Sequence, residues 1–261
     1  MMKTIANADL QVKPSASDQL KVELKVEAYI NGEEIYVGHN TINNFEYFAS
    51  RCFNSATAFR IPIYIRYILT PGDQDIAATY GEVSNTQHDF AASWQAADAG
   101  GTWTGCEIYS NDATNTKIAS CRIPRSIIPQ TDPITYDQVY VSQDTLNVHF
   151  HFTLSGTGFT NDGFKRFGHL CLDPANSYTT FDDVALLYYG VERNRPAATY
   201  AKVSDTVHNL IFKPPIDDMI TAFRIYDATS GGNYCYEKIF TQPRIYLPTY
   251  QEILKITLSQ S

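Results

Sequence analysis

One stretch of this chain occurs twice. Ala77-Ala78-Thr79-Tyr80-Gly81-Glu82-Val83-Ser84-Asn85-Thr86-Gln87-His88 returns 120 residues later as Ala197-Ala198-Thr199-Tyr200-Ala201-Lys202-Val203-Ser204-Asp205-Thr206-Val207-His208, with eight of twelve positions identical. Composition alone would give roughly one match. Weaker echoes keep the same order. Phe45, Phe48 and Cys52 match Phe164, Phe167 and Cys171; Ile108-Tyr109 matches Ile225-Tyr226; Cys121 matches Cys235; Thr153-Leu154-Ser155 matches Thr257-Leu258-Ser259. The spacing shrinks toward the C-terminus, as shorter surface loops in a second copy would make it. Such a chain is constrained to build one unit twice. The expected division is a flexible arm over 1–19, a first domain over 20–156 and a second over 157–261, split at the Ser155-Gly156-Thr157-Gly158 turn.

The unit reads as β-rich. Leu20, Val22, Leu24, Val26, Ala28 and Ile30 alternate with polar residues and Tyr29, the mark of a half-buried strand. Asn31-Gly32 follows as a hairpin turn, because both residues tolerate positive φ, and a return strand is expected over about Glu34 to Gly38. Phe45, Phe48, Ala49 and Cys52 lie at helical spacing and predict a short helix over Asn40 to Phe53. Further strands are expected over 60–69, 77–88, 106–109, 117–123, 146–154 and 254–258. A loop over 96–101 and a turn over 110–115 separate them. The expected class is all-β with one short helix per repeat, as two tandem β-sandwich-like domains from internal duplication.

Composition agrees. Aromatic residues make up 13% of the 261 and charged residues only 18%, a balance that suits pleated, half-buried surfaces. The net charge of −8 offers no clustered basic footprint for nucleic acid. No apolar stretch is long enough to span a membrane, and Met1-Met2-Lys3 is not followed by the apolar core of a secretory signal. The five cysteines show no metal-finger spacing and are expected to be reduced, buried thiols.

Few residues invite chemistry. His149 and His151 form an HxH pair, but no third ligand stands nearby, and the second copy carries Ile253 and Lys255 there. Tyr80, Ser84, Thr86 and His88 recur as Tyr200, Ser204, Thr206 and His208. On one strand they would share a face at period two and form a polar ladder, within the fold or across a subunit contact. A catalytic histidine would need a recurring carboxylate, yet Glu82 becomes Lys202. Trp94 and Trp103 flank the first-copy loop and could stack on sugar rings. No catalytic residue, metal ligand or cofactor site is expected.

The order His39-Asn40-Thr41-Ile42-Asn43-Asn44, then Ile63 to Leu69, then Glu107-Ile108-Tyr109, then Leu146 to Leu154, resembles a loose family of structural proteins from tailed phages and archaeal viruses. The resemblance covers most of 34–155 and, more faintly, 160–259. The family's usual Gly after Glu-Ile is absent, Arg224 stands where Glu107 would be, and the family's small glycine-rich strand is a longer aromatic one. The resemblance implies a tail, baseplate, fibre-attachment or capsid-surface role with no catalytic residues. The expectation is a non-enzymatic virion protein, assembled in a host cytoplasm as a homo-oligomer with other virion proteins. A receptor- or glycan-binding adhesin module is the alternative.

Overall fold

Strand β1 (Ala16–Ile30) organises the fold because it has a neighbour on each edge along its length. It pairs antiparallel with β10 (Thr145–Gly156) through Leu20↔Gly156 to Ile30↔Leu146. On its other edge, Ala16 to Val22 pair parallel with β17 (Glu252–Gln260). There, Lys25 to Ile30 pair antiparallel with β2 (Glu33–His39). The turn between β1 and β2 is the expected Asn31-Gly32, both at positive φ. The computed structural model describes residues 16–53, 64–95, 101–110, 115–122, 139–141, 144–173, 183–213, 219–228, 231–245 and 251–261. Most of the expected arm, residues 60–63 of an expected strand, the loop over 96–100 and the centre of the turn over 110–115 lie outside them. Ala16 to Gln19, expected in the arm, belong to β1, because their partners on β17 lie far along the chain.

The large sheet continues outward on both sides of β1. Beyond β10 come β6 (Gln87–Gln95) and β5 (Thr79–Ser84); beyond β17 come β14 (Val207–Phe212) and β13 (Ala198–Ser204). Two smaller sheets complete the β structure. One has the order β4-β3-β7-β8, from β3 (Tyr64–Thr70), β4 (Gln74–Ala77), β7 (Gly101–Tyr109) and β8 (Lys117–Arg122), with β9 (Val139–Val141) also on β7. The other has the order β12-β11-β15-β16, from β11 (Asp183–Tyr188), β12 (Val191–Asn194), β15 (Met219–Tyr226) and β16 (Tyr234–Ile245). The protein is mostly β, and among the described residues only two helices occur, α1 (Phe45–Phe53) and α2 (Asn161–Cys171).

Period-two patterning decides which face is buried. Leu20, Val22, Leu24, Val26 and Ala28 of β1, and Leu146, Val148, Phe150, Phe152 and Leu154 of β10, all point into the core. The small sheets and both helices pack on that face. The Tyr67 hydroxyl of β3 reaches the carbonyl of Ala92 on β6 at 2.7 Å, Phe212 of β14 meets Phe223 of β15 edge-on, and Phe48 of α1 stacks on Phe152. One hydrophobic core runs through both halves of the chain.

Three expectations change here. The helix begins at Phe45 rather than Asn40, because Ile42 bridges to Ala119 and keeps the preceding backbone extended. The segment 77–88 is not one strand. It turns at Asn85-Thr86 into the β5–β6 hairpin, with a bulge between Glu82 and Ser84. The cysteines are not all reduced: Cys52 of α1 and Cys171 of α2 are joined by a disulfide, while Cys106, Cys121 and Cys235 are buried thiols.

Candidate functional site

The turn at the tip of each hairpin is held by its own side chains. Thr86 N–H donates to the Ser84 hydroxyl at 3.3 Å, and Thr206 N–H to the Ser204 hydroxyl at 3.3 Å. A hydroxyl that satisfies a backbone donor two residues on replaces a ladder bond with a turn. Each tip then docks on a core strand: Leu154 N–H donates to the Thr86 carbonyl and Leu258 N–H to the Thr206 carbonyl.

Beneath each tip lies a tyrosine–histidine pair. The Tyr80 hydroxyl stands 2.8 Å from His88 Nδ1, and the Tyr200 hydroxyl 2.9 Å from His208 Nδ1, the rings nearly parallel in both. Both imidazoles are almost completely buried, and burial pushes each down to about 4. In the second pair the tautomer follows from the partners. His208 Nε2 meets the Asp205 carbonyl at 3.1 Å, so Nε2 carries the proton and Nδ1 accepts from Tyr200. His88 Nε2 faces Gly168 of α2, and the matching Asn85 backbone acts on the ring only weakly, short of full hydrogen-bond geometry. The eight expected residues therefore form two local hydrogen-bonded sets, not one strand face. Both histidines are buried and held in their neutral form, each packed flat against its tyrosine.

A second cluster went unread in the sequence. On the outward face of the large sheet, His151 of β10 lies between Asp89 of β6 at 2.7 Å and Glu27 of β1 at 3.2 Å. The Asp89 hydrogen bond raises the His151 imidazole above its usual range. Lys25 first, and Tyr29 after it, pull Glu27 down to about 2. His149 stacks beside His151 and meets Tyr29 edge-on. This arrangement resembles a relay in composition, but it lies on a sheet face where no described cavity holds a substrate against it. Among the described residues no group of three or more His, Cys, Asp or Glu side chains could hold a metal ion. The polar alternation of β1 and β10 marked Glu27 and His151 but not Asp89 of β6, and only the strand register joined the three.

No protein-family model, curated protein or solved structure matches this chain.

The tryptophans correct a further expectation. Trp103 is fully buried, and Trp94 is half-buried, its ring near Tyr67. Trp94 pairs with Leu146 and so shares the core face of the large sheet. Trp103 thus offers no ring to a sugar, and Trp94 turns inward. Two shallow recesses exist instead, of about 460 and about 580 Å³. The first lies beside α2 and is lined by Thr157 to Thr160 and Glu237 to Ile239. The second lies beside α1 and is lined by Thr41 to Tyr47, Asp205 and Gln260. No helix among the described residues is long and apolar enough to cross a membrane.

Proposed function

We propose that this chain is a non-enzymatic structural protein of a tailed virus particle, built from two tandem β-sandwich-like halves by internal duplication and assembling through the edges of its large sheet. Several equalities support the duplication. The order β4-β3-β7-β8 matches β12-β11-β15-β16 element by element. The isolated bridges Ile42↔Ala119 and Phe159↔Tyr236 correspond, and so do the hairpin bulges at Glu82/Ser84 and Lys202/Ser204; the same register sets Cys235 level with Ile118 and so corrects the sequence match of Cys121 with Cys235. One helix precedes each set of strands, and the disulfide joins matching cysteines of those helices.

The observation that carries the assembly reading is the direction of the two edge strands. Counting pairings outward from β1, β5 and β13 run opposite ways. Set beside β13 of the next copy, β5 therefore makes an antiparallel pair without turning either molecule over. Such head-to-tail contacts close into rings or extend as filaments. Among the described residues neither strand has a partner on its outer side, and Val83 and Val203 are exposed near the two hairpin tips. Long exposed edges are templates for further pairing. The virion role rests on this together with the family resemblance.

Light scattering of the purified chain tests the assembly. A closed ring or an open polymer is expected, reduced to monomer by Val83→Lys with Val203→Lys, since edge lysines block pairing. A chain that stays monomeric at every concentration, and is missing from purified particles by mass spectrometry, would sink the reading.

A further inference from the structure

Cys106 on β7 and Cys121 on β8 are direct cross-strand partners, and their sulfurs stand 2.8 Å apart. Non-bonded heavy atoms settle at about 3.5–4.0 Å, whereas the sulfurs of a disulfide stand about 2.05 Å apart. The two thiols are thus inside ordinary contact distance and short of a bond. Both are shielded, Cys106 fully and Cys121 at 4% exposure. The remaining thiol, Cys235, lies in the other small sheet, and its sulfur contacts the Asn233 carbonyl at 3.7 Å. β8 is the last strand of its sheet, held on its outer side by the bridge from Ile42 to Ala119 and by Asn43 and Asn44, so local opening there uncovers Cys121.

We propose that Cys106 and Cys121 form a second disulfide, a cross-strand bond between β7 and β8, when the chain meets a small disulfide oxidant such as oxidised glutathione. The Cys121 thiolate attacks one sulfur of the oxidant and releases the first small thiol, leaving a mixed disulfide. Cys106 then attacks the Cys121 sulfur and expels the second. Two protons leave the protein thiols, two electrons pass to the oxidant, and the oxidant ends as two thiols. Register selects the pair: no other buried thiol of the chain stands opposite either sulfur. The inference is independent of the virion reading.

The test is a cysteine map of the full chain. The chain is incubated with oxidised glutathione, unfolded with iodoacetamide present, and digested for mass spectrometry. Only Cys235 is expected to be alkylated, with Cys106 linked to Cys121. The intact mass should fall about 4 Da below the fully reduced chain, about 2 Da for each of two bonds. Alkylated or glutathione-bearing Cys106 and Cys121, or either one joined to Cys235, would overturn the assignment. The Cys235→Ser variant should give the same linkage, and its loss there would equally overturn it.

Discussion

Cys52 of α1 and Cys171 of α2 are bonded to each other across 119 residues of chain. Both are buried, and they close the contact between the two helices on the inner face of the large sheet. A cross-link of that span restricts the unfolded chain strongly. Replacing both residues by Ala is expected to lower unfolding free energy by about 2–5 kcal/mol. Urea titrations with and without reductant check this. Reductant should lower the midpoint of the parent chain by the larger amount and that of the double variant little.

Gly168 supports a second prediction. A Cβ at that position would lie about 2.0 Å from His88 Nε2, inside the buried ring. Gly168→Ala must displace the imidazole or lift α2, at a cost of about 1–3 kcal/mol. Gly81 is the contrasting case, since a Cβ there meets nothing within 4 Å, and the matching position already holds Ala201. Gly81→Ala should be neutral or stabilise by up to about 1 kcal/mol, through the unfolded chain. Thermal unfolding of the two variants side by side separates these outcomes.

The tyrosine–histidine pairs are equal in shape but unequal in support. His208 keeps the Asp205 carbonyl as a second partner at 3.1 Å, whereas the matching Asn85 backbone acts on His88 only weakly and His88 Nε2 meets no acceptor at full hydrogen-bond geometry. Tyr80→Phe leaves the buried ring with that weaker Asn85 interaction alone and should cost about 1–3 kcal/mol. Tyr200→Phe should cost about 1 kcal/mol. Equal losses in urea midpoint would contradict the difference.

Acid should act mainly through the buried imidazoles. His88 and His208 titrate near 4 when folded and near 6.5 when unfolded. Between those values the unfolded chain binds protons that the fold excludes, so stability falls as pH falls from 6.5 toward 4. His151 acts in the opposite sense. Its stabilisation is complete below 6.5 and is lost as pH rises past its raised folded value. Glu27 adds stability above 4.5 that is lost as pH falls toward about 2. The urea midpoint at about pH 5 is expected below that at about pH 7, and imidazole NMR should show His88 and His208 still neutral at the lower value. A midpoint that rises on acidification would mean that His151 dominates.

Much of the β structure was legible in the chain. The alternation from Leu20 to Ile30 and from Leu146 to Leu154 identified β1 and β10, since a strand with one buried face must alternate. The Asn31-Gly32 turn and the apolar stripe of α1 were local signals too, fixed by residues within a few positions of one another. Repetition of the Tyr, Ser, Thr and His residues marked the positions that hold the hairpins, though not their geometry.

Other features belonged to the tertiary structure. Whether 77–88 made one strand or a hairpin depended on the Ser84 hydroxyl and on docking of Thr86 against Leu154, a contact across 68 residues. The disulfide needed α1 and α2 to meet. The burial of Trp103, and the placing of His151 between Asp89 and Glu27, each needed a register between strands distant in sequence. Alternation tells a side chain which way to face, but not what faces it. Local pattern thus settled β1, β10, their buried faces and the repeated positions, because those depend on neighbours along the chain. The parallel pairing of β1 with β17, the joined cysteines and the partners of each buried polar group came only with folding, because those depend on neighbours in space.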